Sequence, residues 1–280
     1  MKRSISWCLR FTVMAIFPVA LLSGCAVVQT TSSGAVGIER KQYMSSLVSQ
    51  SALENEAAQQ YSSLIGQARA QKALDVDATQ TKRVRAIAQR LIGHVSAFRP
   101  DAVGWNWQIH VLRSDDVNAW CMPGGKMAVY SGLIQRIKPS DDELAAIIGH
   151  EMAHALREHS REQVSQQMAA NVGLSILSAV TGSSAAADLG SSLNQVMFAL
   201  PNSRTHETEA DRMGLELAAR AGFDPRAAAT LWQKMGALAG GNSPPEFLST
   251  HPAPASRIAD LTRLAEQMMP IYRQATTRRK

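Results

Sequence analysis

His150 and His154 flank a glutamate in the run His150-Glu151-Met152-Ala153-His154. On a helix, residues four apart share a face, so both imidazoles can reach one zinc ion. A catalytic zinc usually takes three protein ligands and keeps a fourth position for water. Glu151 would stand beside that position and take a proton from the water, which is the chemistry of metal-assisted hydrolysis.

A third ligand is needed, and the run from Ser203 to Gly214 offers one. Glu207 and Asp211 are four apart and share a helix face. Glu207 can bind the metal, and Asp211 can hold a ligand imidazole through its other ring nitrogen, as metal-bound histidines require. Glu209 points elsewhere, to the surface or behind a ligand. His206, beside Glu207, is expected to be an exposed histidine.

These residues need elements to position them. Ser140 with Glu143 makes a capping-box pattern, and Asp141, Asp142 and Glu143 suit the positive end of a helix. Leu144, Ala145, Ile147, Ile148, Met152 and Ala155 follow at helical spacing, so a helix is expected to run unbroken well past Ser160. Helical patterns also cover Leu53 to Leu74 and Thr79 to Val95. Trp105 to Leu112 alternates as a strand, and Pro123-Gly124-Gly125 turns the chain into a second strand over Lys126 to Tyr130. The expected fold class is α+β, mainly helical, with a small sheet beside the helix of the two histidines. Adding a substrate as a strand to an edge of that sheet would hold it extended through main-chain hydrogen bonds.

The H-E-x-x-H helix, the E-x-E-A-D helix over Glu207 to Asp211 and the later Thr250-His251-Pro252 together resemble the zinc metallopeptidases that include HtpX, BepA, LoiP and the mitochondrial Oma protease. LoiP-like lipoprotein peptidases are the nearest likeness. The resemblance spans roughly Gln42 to Leu264 and implies a zincin-like (gluzincin) domain with one Zn2+ per chain. It assigns His150, His154 and Glu207 to zinc, Glu151 to the general base, and Asp211 to orienting a zinc-bound histidine. In that family Asn-Ala-x-x-x-Pro-Gly-Gly precedes the strand flanking the cleft, which here implicates Asn118 and the Ala119 backbone in gripping substrate. Members with tetratricopeptide repeats carry them after Thr-His-Pro. The chain beyond Pro252 is too short for one such repeat.

His251 sits in an extended, proline-rich loop. Two roles are open for it. His251 or Arg257 could stabilise the oxyanion of a tetrahedral intermediate, or His251 could occupy the open zinc position and hold the site latent. Gly240 to Pro245 could let this loop swing, and Gly182 to Ser192 reads as a lid.

At the N-terminus, Lys2, Arg3 and Arg10 precede the apolar run Phe11 to Leu22 and then Leu22-Ser23-Gly24-Cys25. This order predicts a secretory signal over 1–24, and the resemblance to a lipobox implies lipidation of Cys25. The expected organisation is therefore a lipidated tether over 25–41 and a peptidase domain over 42–280. The expected location is the outer membrane, facing the periplasm. Cys121 is left as a free thiol, expected to be buried. Once the three leader cations are set aside, the 29 basic and 23 acidic residues nearly balance, which gives no reason to invoke nucleic acid. No apolar run after the leader is long enough to span a bilayer.

The sequence therefore predicts a zinc metalloendopeptidase acting on unfolded or misassembled envelope proteins, with outer-membrane assembly machinery as a further partner. A lipid-anchored chaperone or assembly factor with a latent zinc site is the alternative.

Overall fold

The computed structural model describes residues 25–181, 189–239, 246–252 and 255–278. Two short strands, β1 (Cys25–Val28) and β2 (Gln42–Ser45), pair antiparallel, and helices α1 (Gln50–Ala70) and α2 (Ala78–Ile92) follow. Strands β3 (Gln108–Leu112), β4 (Ala119–Met122) and β5 (Lys126–Tyr130) form a second sheet. The remaining elements are helices: α3 (Ser131–Ile137), α4 (Asp141–Leu156), α5 (His159–Thr181), α6 (Leu189–Phe198), α7 (Arg204–Arg220), α8 (Ala227–Ala239), the single turn α9 (Phe247–Thr250) and α10 (Ala255–Thr277). The architecture is the mainly helical α+β class that the patterning predicts.

Helix α4 is the central element. Its capping box forms as its sequence requires: Ser140 Oγ accepts from Glu143 N, and Glu143 Oε2 accepts from Ser140 N at 2.8 Å. From Glu143 to Leu156 every residue is buried. An apolar cluster drawn from α2, β3 to β5, α4, α7, α8 and α10 surrounds it, and a smaller one lies under α1 and α6. Helix α7 crosses α4 through paired glycines. A Cβ on Gly214 would lie 2.6 Å from His150 N, and one on Gly149 would lie 2.9 Å from the Gly214 carbonyl oxygen. Only glycine allows two helix backbones to approach this closely. That approach brings the acidic face of α7 onto the histidines of α4.

Two sequence expectations are corrected here, and the sheet order, which the sequence left open, is set. The helix does not run past Ser160. It stops at Leu156, and Glu158 takes a left-handed conformation (φ 54°) before α5 begins. The break is tertiary in origin: the Arg157 carbonyl is taken by Thr30 Oγ1 at 3.1 Å and Gln42 Nε2 at 2.7 Å. The segment expected to be a slack tether is docked instead. Val36 and Ile38 join the main core, Val36 N donates to Glu216 Oε2 at 3.0 Å, and Ser32 N donates to the Phe98 carbonyl at 2.8 Å. Its small residues serve tight turns, as at Gly34 (φ +62°), where a Cβ would meet the Phe98 ring. Finally, the strand order is β3-β5-β4, so β5 is central and β4 is the edge beside α4. The expected leader over 1–24 lies outside the described residues, as do 182–188 of the expected lid and the 240–245 loop.

Candidate metal centre

Helix α4 presents His150 and His154, α7 presents Glu207, and the turn after α9 presents His251. One ligand atom from each of these four buried side chains lies within 4.8 Å of every other. His154 Nε2 is 3.1 Å from His150 Nε2 and 3.4 Å from Glu207 Oε1, and His150 Nε2 is 3.5 Å from Glu207 Oε2. Two imidazole nitrogens with a carboxylate oxygen suit zinc.

Glu151 occupies the next position on α4 and faces the same space. Its Oε1 is buried without a hydrogen-bond partner among the described residues and lies 3.5 Å from His251 Nε2. An orphaned carboxylate oxygen beside a three-donor cluster fits a site built to handle water at a metal. Burial pushes the Glu151 carboxyl above its ordinary range, only partly offset by His251 and His150. That is the direction a general base working near neutral pH needs.

Two residues brace the ligands from the side opposite His154. Asp211 Oδ1 lies 3.1 Å from His150 Nδ1, the carboxylate–histidine contact that the spacing from Glu207 implies. Arg257 joins them: its guanidinium contacts Asp211 through Nε and through Nη2 at 2.8 Å, reaches Glu207 Oε2 at 2.6 Å, and lies 3.8 Å above the Trp232 ring. Arg257 is thus directed to the ligands and is not among the residues lining the cleft. Its Nη1 also donates to the Pro252 carbonyl at 3.0 Å, and its Nη2 lies 3.4 Å from the His150 ring nitrogens. His251 does face the cleft. Its Nδ1 lies 2.8 Å from Glu207 Oε1, and its ring stacks on Phe247 at 4.3 Å.

Behind His154 lies a cluster that the sequence reading missed. His206, expected at the surface, is buried and stacks on His159 with centroids 4.3 Å apart. His206 Nε2 lies 3.2 Å from Glu162 Oε2, and His159 Nε2 lies 3.0 Å from Glu209 Oε2. Arg40, from the docked N-terminal segment, pairs with both carboxylates at 2.6 and 2.7 Å, and the fully buried Arg157 adds a 3.2 Å contact to Glu209. The only sequence signal was one histidine followed by three acids over 206–211, which fits a solvated helix start equally well.

Burial alone would raise Glu162 and Glu209, but Arg40, His206 and His159 hold both carboxyls well below the usual range. Their contribution to stability is therefore present above the unfolded pKa of about 4.3 and is lost as pH falls toward the folded values. Arg40→Met should destabilise the metal-free chain by roughly 1–3 kcal/mol at pH 7, a buried-pair loss discounted because Arg40 is one-third exposed. In urea unfolding series the gap from the parent should narrow below about pH 4. An unchanged midpoint at pH 7 would show that Arg157, Gln42 and the two histidines secure the cluster without Arg40.

The centre opens on a cleft of about 240 Å³ lined by Asn118, Ala119, Trp120, Glu151, His154, Met197, Phe198 and His251. Tyr130 N donates to the Asn118 carbonyl, so position 118 pairs with β5. By the alternation of an antiparallel ladder, the main-chain groups of Ala119 and Cys121 then point away from β5. Ala119 N is covered by Asn118 Oδ1 at 2.8 Å. Cys121 is a free, buried thiol whose pKa is raised by that burial and by Glu151.

A family model described as peptidase family M48 matches residues 78–265. The mitochondrial metalloendopeptidase OMA1 of Arabidopsis thaliana is 38% identical over 61% of this chain and 34% of that protein. The OMA1 of Saccharomyces cerevisiae is 34% identical over 61% of this chain and 51% of its own length. The beta-barrel assembly-enhancing protease of Escherichia coli is 29% identical over 71% of this chain and 42% of its own. The chain thus spans between a third and about half the length of these curated relatives.

The expected localisation is corrected by this comparison. Outer-membrane anchoring through a lipid on Cys25 rested on a local motif whose charged and apolar parts lie outside the described residues. The OMA1 relatives from a plant, a mammal and two yeasts are mitochondrial by name. Cys25 itself opens strand β1, paired with Ser45, and no described helix is long and apolar enough to cross a membrane.

Proposed function

Because the chain belongs to peptidase family M48, we propose that it is a zinc metalloendopeptidase that cleaves extended segments of unfolded or misassembled proteins. The observation that carries this reading is Glu151, buried and unpartnered beside His150, His154 and Glu207 at the floor of a cleft with an edge strand in its wall. A site that only held structural zinc would have no use for that carboxylate.

In this reading His150, His154 and Glu207 hold the ion, with Asp211 and Arg257 fixing the donors. Zinc, when bound, supplies a Lewis acid that polarises the scissile carbonyl and acidifies water. Glu151 takes the proton of the attacking water at a carboxylate oxygen and passes it to the departing amine nitrogen. No covalent bond to the protein forms. His251 Nε2, on the cleft side of Glu151, donates to the oxyanion. The outward main-chain groups of β4 hold the substrate as an added strand, with Asn118 turning aside from Ala119 N to admit it. Trp120, Val196, Met197 and Phe198 give the cleft an apolar wall, suited to a large apolar side chain near the scissile bond. The name of the beta-barrel assembly-enhancing relative supports substrates caught during assembly.

A second reading is favoured by one observation. Because His251 is a fourth donor within the same 4.8 Å cluster, it can close the coordination shell and leave the chain latent, as a chaperone or assembly factor.

The deciding experiment is cleavage of a permanently unfolded protein by the zinc-loaded chain, with and without a chelator. Cleavage that a chelator abolishes and added zinc restores is the expected result. Zinc binding without cleavage, converted to cleavage by His251→Ala, would select the latent reading. No cleavage by either chain would sink the peptidase assignment.

A further inference from the structure

The two histidines of α4 are braced differently. His150 has its carboxylate in direct contact, Asp211 at 3.1 Å. His154 has none. Its Nε2 faces the donor cluster, and its Nδ1 lies 2.9 Å from Nδ1 of His159. The carboxylate comes one ring further on, with His159 Nε2 3.0 Å from Glu209 Oε2.

Hydrogen-bond polarity along this line is set from its far end. Glu209 lies between the guanidiniums of Arg40 and Arg157, with contacts at 2.7 and 3.2 Å, so it is a carboxylate and can only accept. The proton in its contact with His159 therefore sits on His159 Nε2. Two N–H groups cannot meet head-on at 2.9 Å, so one of the facing Nδ1 atoms must be bare. A neutral His159 carrying its proton on Nε2 has a bare Nδ1. The N–H between the rings then belongs to His154 Nδ1, and His154 Nε2 carries a lone pair toward the cluster. His159 is held in this orientation by its stack on His206, which is itself anchored to Glu162. The left-handed turn at Glu158 is what aims His159 back at His154.

We infer that His159 and Glu209 form a relay of fixed hydrogen-bond direction that sets the tautomer of His154, so that the nitrogen facing the donor cluster is the one free to bind metal. His159 is a positioning residue in this scheme. The inference rests on His154 being a ligand, as proposed above, but the tautomer itself can be read without metal.

In the metal-free chain, two-bond 15N–1H spectra should show His154 protonated at Nδ1 and His159 at Nε2. The opposite tautomer at His154 would overturn the relay whatever the metal does. Zinc affinity, read by chelator competition, gives the second arm. His159→Phe keeps the ring and its stack but offers no acceptor, and should bind zinc about 10–100-fold more weakly. His159→Asn presents Oδ1 near the lost Nδ1 and should stay within about threefold of the parent, a rescue that packing alone does not predict. Affinity of His159→Phe equal to the parent, or a loss in His159→Asn as large as in His159→Phe, would overturn the inference. If His159→Phe does not fold, Glu209→Gln decides. An amide that can donate to His159 scrambles the direction and should weaken zinc about tenfold, and parent-like affinity would again overturn the relay. Failure of the parent itself to bind zinc would instead refute the metal-site reading, leaving the spectra to judge the tautomers.

Discussion

Glu151→Gln is expected to keep zinc and lose turnover by about a thousandfold. The carboxamide has nearly the same volume and can sit where the carboxylate sits, but it cannot take a proton from water. None of the contacts among His150, His154, Glu207, Asp211 and Arg257 passes through Glu151, so zinc affinity should change by less than about threefold. Burial already disfavours a charge at this position, so the neutral glutamine should leave the folded chain no less stable. Single-turnover kinetics on an unfolded substrate, with zinc content measured on the same sample, checks both halves. Retained turnover would move the general base to another residue, with His251 the first to examine because its Nε2 is 3.5 Å away.

Gly214→Ala should be far more damaging than its chemistry suggests. In an exposed helix this change stabilises by about 1 kcal/mol. Here the added Cβ would sit 2.6 Å from His150 N and 2.8 Å from Gly149 C, both backbone atoms of α4. Neither can move without shifting the helix, so an overpacking cost on the order of 3 kcal/mol outweighs the propensity gain. The displacement falls directly on the site, because α7 also carries Glu207 and Asp211. Thermal unfolding of the metal-free chain should show a clear drop, and zinc affinity should fall with it. A raised melting temperature would mean that the helices are further apart than 2.6 Å implies.

The parts of this site that repeat at helical spacing were legible in the sequence. The start of α4, the shared face of His150 and His154, and the shared face of Glu207 and Asp211 all follow from 3.6 residues per turn and a capping box. The parts fixed by distant contacts were not. The end of α4 depends on Thr30 and Gln42 catching the Arg157 carbonyl, which no local pattern around Arg157 encodes. With that turn hidden, His159 reads as one more residue of a long helix, and His206 and Glu209 lose the partners that bury them. Strand order was not legible for a related reason. Alternation identifies β5 as a strand, but whether it lies at the edge depends on where β3 and β4 dock, which is a non-local choice. Arg257 was recognised as a candidate, but its sequence position near His251 says nothing of its reach to Asp211.

The donor cluster is braced by segments that lie before and after the H-E-x-x-H helix in sequence, by Arg40 through Glu209 on one side and by Arg257 through Asp211 and Glu207 on the other. A ribosome releases these braces in turn, and the segment bearing Arg257 leaves the exit tunnel late. Until then the nascent chain displays its H-E-x-x-H run without the order that makes it a catalyst. A peptidase that took unfolded polypeptide would be in greatest danger from itself while it is being made, and this arrangement delays its competence until the segment bearing Arg257 has emerged and docked.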